Sequence, residues 1–427
     1  MRIAALDLGS NSFHLLVADV HPDGTFEAVA REKEMLRLGD DVSGNHSISP
    51  SLADRAVETV RRYKQLSDAL GATEMLAKAT SAIRSADNGS ELVDRIETEA
   101  DVEVEVISGL EEARLIFAAV RASVVIDPAP ALGIDIGGGS VELMIGDGSG
   151  LRWAESVALG VGRLTAEFVR EDPPSKGERK RLEEHVRATL EPFVADVVSR
   201  APGLCVGTSG TINDLARMAE ARRTGEVPPT SNGLRVARAD LEELNDKITR
   251  SKASERRRMP GLEEKRTELL PAGSILLQTA LELFDIETLT VSDWALREGI
   301  VLDAVSTHDP NDWSDDPRAL RRAAVVGLAR RCNSDERHTA QVAHLALRLF
   351  DQTTALHGLG SDDRELLDFA VLLHDIGQHV SRKGHQRHAA YLVENGQLRG
   401  FEPSEIAFLA ALVRHHRRGD PKVSEPR

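Results

Sequence analysis

Acids placed at the ends of a glycine-rich turn are the first feature of this 427-residue chain that could do chemistry. In "LGIDIGGGSVELMIGDG" (132–148) an apolar run enters Asp135, passes Gly137, Gly138, Gly139 and Ser140, and leaves through Glu142. A glycine turn lets backbone N–H groups converge on an anion, because no Cβ obstructs the approach. A carboxylate at its entrance would repel a phosphate unless a cation intervenes, and Mg2+ takes such oxygen ligands. In a strand Glu142 points with Ser140 and Met144, away from Val141 and Leu143. It is therefore either a ligand-facing acid or a solvent-facing acid of an ordinary hairpin.

An earlier stretch, "DLGSNSFHLLVAD" (7–19), repeats this frame 128 residues before "DIGGGSVELMIGD" (135–147). Asp7 falls on Asp135, Gly9 on Gly137, Ser12 on Ser140, Leu15 on Leu143 and Asp19 on Asp147. The repeat predicts two similar domains in tandem, each opening with a β-hairpin. Two such loops would grip a phosphate from both sides, with Gly9, Ser10, Asn11 and Ser12 in one and Gly137 to Ser140 in the other. Asp7 is then a further candidate cation ligand. The chain contains no Gly-Lys dipeptide, so neither loop is a Walker loop, and Gly137-x-Gly139 lacks the third glycine of a dinucleotide site.

Three other stretches carry candidates. In "ISGLEEARLIF" (107–117), Ser108 and Glu111 form a Ser-x-x-Glu box that opens a helix, which leaves Glu112 unexplained by capping. Glu112 reads either as a general base on water or as an acid favoured by the helix dipole. In "VGTSGTINDLA" (206–216), Ser209, Gly210 and Thr211 make an anion site at a helix N-terminus. A plain cap with Thr211 and Asp214 explains part of it equally well. Arg84 in "ATSAIRSADN" (79–88) is a phosphate clamp or an exposed helix arginine.

Strands alternate with helices from residue 1 to about 305, predicting mixed-sheet α/β domains over 1–126 and 127–305. "STHDPNDWSDDP" (306–317) reads as a linker, and 318–427 as an all-helical, His-rich domain. Net charge is −16, which argues against a nucleic-acid partner, although a local basic groove can overrule the global sign. The runs Arg256-Arg257-Arg258 and Arg321-Arg322 are expected to be solvated helix faces. No apolar run is long enough to span a membrane, no signal peptide is evident, and only Cys205 and Cys332 are present. A cytoplasmic protein is expected.

Taken together, "DLGSNSFHLLVADV", "ATSAIR", "ISGLEEARLIF", "GIDIGGGSVEL", "GTSGTI" and "SDWALREG" resemble the exopolyphosphatase/guanosine pentaphosphate phosphatase (Ppx/GppA) family, within the actin-like ATPase superfamily. The resemblance spans residues 3 to 300. It implies two tandem ribonuclease H-like domains with the active site in the cleft between them. It also implies Mg2+-dependent hydrolysis of a terminal phosphoanhydride, with Glu112 as base and Asp135 and Glu142 as metal and catalytic acids. The loops 9–12, 137–140 and 209–211 match the family's phosphate-binding loops. Inorganic polyphosphate is the expected substrate. Guanosine pentaphosphate (pppGpp) is the alternative that the motifs do not separate. A low aromatic content, 4%, leans toward polyphosphate because it offers no obvious base-stacking platform. The long form implies a homodimer.

The C-terminal stretches "ERHTAQVAHLA" (336–346), "FAVLLHDIGQHV" (369–380), "KGHQRHAAYL" (383–392) and "LVRHHRRGD" (412–420) resemble an HD domain, a helical fold in which His and Asp hold metal. A metal-dependent HD phosphohydrolase acting through His338, His374 and Asp375 is therefore the second functional reading. Two departures count against it. Gln378 stands where the motif has Lys, and Asp420 alone follows His416 as a distal acid. Long members of the Ppx/GppA family carry an HD-like domain without metal chemistry, yet this chain keeps the His374-Asp375 doublet. Without metal, the domain would complete a polyphosphate channel or a dimer interface.

Overall fold

The computed structural model describes residues 1–20, 26–126, 129–308, 317–396, 398 and 400–417. They fall into two compact units, Met1–Asp315 and Asp316–Arg427. The linker expected at 306–317 lies mostly outside the described residues, as does Asp420.

Two mixed sheets organise the first unit. In the first, β1 (Arg2–Leu8), β2 (Ser12–Val20) and β3 (Phe26–Met35) form an antiparallel meander. Strands β4 (Glu74–Ala79) and β5 (Val104–Val106) then add in parallel, giving the order β3-β2-β1-β4-β5. The second sheet repeats the plan with β6 (Ala131–Ile136), β7 (Val141–Asp147), β8 (Gly150–Val157), β9 (Leu204–Thr208), β10 (Arg235–Ala237) and β11 (Thr288–Val291). Its order is β10-β11-β9-β6-β7-β8, with β10 added at the edge. The duplication read in the sequence is therefore structural, and the hairpins are in the same register: Asp7 faces His14, and Asp135 faces Glu142.

Each half opens with three strands rather than a simple hairpin. The third strands, "FEAVAREKEM" and "GLRWAESV", are charged edge strands with few fully buried residues. Their partners β2 and β7 are far more buried, and every residue of the central strand β6 is buried.

The halves exchange helices. The helix Gly109–Ser123 leaves the first sheet and packs on β7 and β8 of the second. The helix Leu296–His308 ends the second half and packs back on β1 and β2. The two helices also pack on each other, and their contact is close: a Cβ on Gly299 would stand 2.1 Å from the Leu115 carbonyl oxygen. Buried Ser123 and Ser292 hydroxyls meet at 2.7 Å beside this crossing.

Arg257, Arg258 and Arg322 are exposed as expected, but one arginine of each basic run is buried. Arg256 is 2% exposed, and its guanidinium bonds Asp172 at 2.8 Å and the Thr267 carbonyl at 3.1 Å. Arg321 is also buried and pairs with Glu405 at 2.8 Å. In both cases a carboxylate partner, joined at Arg256 by the buried Thr267 carbonyl, offsets the cost of desolvating the cation.

The second unit is helical throughout its described residues. Helices Pro317–Arg331, Glu336–Gln352, Ser361–Leu373, His385–Asn395 and Pro403–His415 enclose a core that includes Phe369, Leu373, Phe401 and Val413. No helix among the described residues is long and apolar enough to cross a membrane.

The Gly299 contact should be critical to the first unit. Gly299→Ala forces the crossing helices apart and should cost about 2–3 kcal/mol in chemical denaturation. Gly44→Ala, where no atom lies within 4 Å of the added Cβ, should be neutral or slightly stabilising. Equal stabilities of the two variants would refute the close crossing.

Candidate active site

The turns between β1 and β2 and between β6 and β7 abut. A Cβ on Gly138 would stand 2.7 Å from the Asn11 Cβ, and one on Gly139 would stand 2.4 Å from Ser10 Oγ. Glycine is required here because the two loops occupy the space a side chain would need. Their carbonyls are tied up elsewhere. Gly137 and Gly138 oxygens accept from Val161 and Gly162, while Ser10 and Asn11 oxygens accept from Gly39, Leu36 and Arg37. Oxygens that would repel an anion are thereby engaged with protein donors.

The loops open onto a pocket of about 460 Å³. The same pocket is lined by Asp7, Glu112, Asp135 and the residues Gly9 to Ser12, Gly137 to Ser140 and Ser209 to Thr211. The structure thus brings together candidates separated by up to 200 residues in sequence. Two expected site residues, Glu142 and Arg84, do not line it.

Glu142 lies directly behind, paired across the hairpin with Asp135. It is wholly buried, which removes the reading of a solvent-facing hairpin acid. Ser156 donates to its Oε1 at 2.8 Å, while Oε2 has no hydrogen-bond partner. Arg84 stands 3.4 Å from Glu112 Oε2 and also donates to the Ile107 carbonyl at 2.6 Å. It holds the candidate base, whereas the sequence offered a phosphate clamp or an exposed arginine.

Glu112 is placed by its helix. Ser108 caps the helix, accepting from Glu111 N–H at 3.1 Å, and Glu111 turns outward to Arg114. Glu112 therefore faces inward and is only 7% exposed. Ser209, in turn, caps the helix Gly210–Thr224 and accepts from Ile212 N–H at 3.3 Å. The cap is thus Ser209, not Thr211. Its φ of 105° is a strained conformation for a residue with a side chain, of the kind that clusters at functional sites.

The carboxyl groups share one electrostatic fate. Burial, with repulsion from Glu142, pushes Glu112 well above the ordinary carboxyl range, and Arg84 opposes this. Burial, then Glu142 and Asp7, does the same to Asp135. Burial pushes Asp7 up to about 7 against the pull of Arg297, and Glu142 up to about 7 against the serine hydrogen bonds. Asp135 Oδ1 and Glu142 Oε2 are both buried without a hydrogen-bond partner. Orphaned carboxylate oxygens crowded by like charge are what an oxygen-ligating divalent cation satisfies, so this donor set fits one.

Several lining residues went unrecognised in the sequence. Arg31, Lys33, Arg217, Arg266 and Arg297 line the pocket, a basic strip interleaved with the acids Glu32, Asp214, Glu263 and Asp293. Lys33 and Arg266 flank Glu263 at 2.7 and 2.9 Å. Burial would raise Glu263, but these two cations hold it at about 2. Arg266 also lies over Gly210, where any Cβ would collide with its guanidinium. His14, the counterpart of Glu142, bonds the Ser12 hydroxyl at 2.7 Å through Nε2. Burial keeps it neutral by lowering its pKa well below the usual value. The only sequence signal was membership in quoted stretches for His14 and Arg297; the others are scattered between 31 and 266.

Known proteins bear on this architecture. The Ppx/GppA phosphatase family matches residues 16–308, and its domain III matches residues 320–425. Exopolyphosphatase 1 of Mycobacterium tuberculosis is 34% identical over 307 residues, covering 71% of this chain and 88% of that protein. Exopolyphosphatase 1 of Mycobacterium leprae is 33% identical over 303 residues, covering 71% of this chain and 89% of that protein. The crystal structure of an exopolyphosphatase from Cytophaga hutchinsonii superposes with a TM-score of 0.68 at 30% identity, covering 72% of this chain and 98% of that one. The Aquifex aeolicus Ppx/GppA family member gives 0.62 at 30% identity, covering 72% and 99%. With two mixed-sheet domains, a shared pocket between duplicated loops and these matches along its length, the chain belongs to the Ppx/GppA phosphatase family.

Proposed function

We propose that this phosphoanhydride hydrolase is an exopolyphosphatase that removes the terminal phosphate of inorganic polyphosphate in the pocket of the first unit. One observation carries the reading: duplicated glycine loops, a buried carboxyl cluster and a cationic strip all line or adjoin the same cavity. A long repeating anion needs extended cationic contacts, and the strip supplies them. Relatives named exopolyphosphatase support it. The lining contains no Phe, Tyr or Trp, so nothing there would stack on a guanine base, and pppGpp is the less favoured substrate.

Asp135 and Glu142, with Asp7 as a further ligand, would hold a divalent cation, Mg2+ in this reading. Bound there, it would neutralise phosphate charge as a Lewis acid. The chain's own groups perform the rest. Loops 9–12 and 137–140 grip the terminal phosphates, and the N-terminus at Ser209 to Thr211 adds donors. Glu112 takes a proton from water as its oxygen attacks the terminal phosphorus. The bridging P–O bond breaks, releasing orthophosphate and a chain one unit shorter, whose new charge is met by backbone donors and the basic strip. A base must be ionised, and Arg84 is the group that pulls Glu112 toward its carboxylate. Arg84 is thus a positioning residue that acts through Glu112. The buried thiols Cys205 and Cys332, both unpaired, agree with a cytoplasmic location, and a homodimer is the assembly implied by the long form.

Side-by-side turnover of polyphosphate and pppGpp, with and without Mg2+, tests the substrate. Preference for polyphosphate is expected; preference for pppGpp would overturn it. Glu112→Gln should lower phosphate release by about 10²–10⁴-fold while leaving the thermal melt unchanged. Arg84→Ala removes the charge that lowers the Glu112 pKa. The acid limb of kcat/KM, which reports loss of the ionised base, should therefore move to higher pH. An unmoved limb would show that Arg84 is merely structural.

A further inference from the structure

The pocket wall carries an acid that the chemistry above does not use. Asp7, Asp135 and Glu112 are accounted for by a cation and a base. Glu263 lines the same pocket and belongs to neither group. It precedes the turn Glu264–Arg266, and its backbone is held on both sides. Its N–H donates to the buried Asp214 carboxylate at 3.3 Å, and its carbonyl accepts from the Arg266 N–H at 2.9 Å. The side-chain carboxylate takes three further hydrogen bonds. Lys33 Nζ donates to Oε1 at 2.9 Å and to Oε2 at 2.7 Å, and Arg266 Nε donates to Oε2 at 2.9 Å. Lys33 lies on β3, in the other half of the unit, so the contact joins the two halves at the pocket.

Both cations stand where a phosphate chain has to pass. Arg266 lies against loop 209–211, since a Cβ on Gly210 would stand 1.7 Å from its Nη2. Arg31, by contrast, is tied at 3.2 Å to Glu298, a wholly buried acid outside the pocket lining. Lys33 and Arg266 are therefore engaged by an acid that shares the cavity with the substrate. To an ammonium and a guanidinium, the two oxygens of a carboxylate and two oxygens of a phosphoryl group are the same kind of acceptor. Glu263 thus occupies the place between Lys33 and Arg266 that a phosphate would take. A carboxylate brings one negative charge, whereas a phosphate chain is charged on every unit. Once its end is held in the loops, its next units meet these cations as intramolecular competitors.

We propose that Glu263 is an internal anion that holds Lys33 and Arg266 until a phosphate chain displaces it, and that it thereby weakens polyanion binding. It sets affinity and takes no part in bond breaking. Burial would raise its pKa, but Lys33 and Arg266 hold it at about 2, so it is charged at any working pH. When the shortened chain leaves, the carboxylate re-forms its pairs with both cations. Re-forming them offsets part of the attraction that would otherwise retain the product. The inference rests on the polyphosphate reading above and names the residue that tempers its affinity.

The test is calorimetric titration with tripolyphosphate at fixed Mg2+, on the full chain carrying Glu112→Gln so that the probe is not consumed. Adding Glu263→Gln should tighten binding by about 3–30-fold, the order set by two partly solvated ion pairs that no longer compete. Glu263→Ala should act in the same direction. In a Lys33→Ala background Glu263→Gln should give a smaller gain, because one of the two freed cations is missing. With Glu112 intact, Glu263→Gln should lower KM for polyphosphate. Weaker binding by Glu263→Gln would overturn the inference and show that Glu263 serves to orient its two cations. A gain of equal size without Lys33 would overturn it as well. If the parent binds tripolyphosphate and Glu263→Gln binds no tighter, only the role of Glu263 falls. If neither protein binds it, the polyphosphate reading falls too.

Discussion

Buried like charge is the constraint on which the first unit turns. Glu112, Asp135 and Glu142 are excluded from water and crowded against one another, with Asp7 beside them. Left alone, such groups favour protonation or unfolding. The fold tolerates them because each sits on a rigid element: two on a central hairpin, one on a capped helix, one on the matching strand of the other half. The helices that cross between halves close this arrangement, so the acids cannot relax apart without disturbing the close crossing at Gly299. Stability has been yielded locally to create a place where positive charge and phosphate are both welcome.

Around that cluster the chain distributes countercharge with economy. Among the clustered acids Arg84 pairs with Glu112, the one that must be ionised, and it also donates to the Ile107 carbonyl. Lys33, Glu263, Arg266 and Asp214 form an alternating ion-pair network at the pocket wall. A protein of overall negative charge can therefore gather several cationic side chains at one location. The helical unit solves a different problem with different atoms. There, four imidazoles gather on one carboxylate, Asp375, and backbone carbonyls engage the Nδ1 of three of them.

Much of this was legible in the sequence where function is written in contiguous residues. Asp135, the glycine loops and Glu112 sit in short stretches whose chemistry can be read directly, and the repeat at Asp7 announced the duplicated sheets. What escaped was either distributed or context-dependent. The third strands escaped because charged edge strands lack the apolar alternation that marks a half-buried strand. The basic strip escaped because its members are brought together only by tertiary folding. Arg256 and Arg321 looked like solvated charge because their carboxylate partners, Asp172 and Glu405, are 84 residues away in each case. Arg84 could not be assigned because its partner is fixed by the direction in which one helix turn points. In the helical unit the His374-Asp375 doublet was visible, but the convergence of His385 and His416 on Asp375 depended on the packing of separate helices.

The interlocked loops carry a consequence for how such a protein can change over generations. Gly138 leaves no room beyond Asn11, and Gly139 none beyond Ser10. A larger residue in one loop can be accommodated only by a simultaneous loss in the other, so these positions are locked as a pair although they descend from separate copies. One register step away the copies have parted: His14 on one side, Glu142 on the other. Duplication thus left a frozen seam flanked by positions free to specialise, and the cleft acquired its chemical polarity from the positions that were not in the seam.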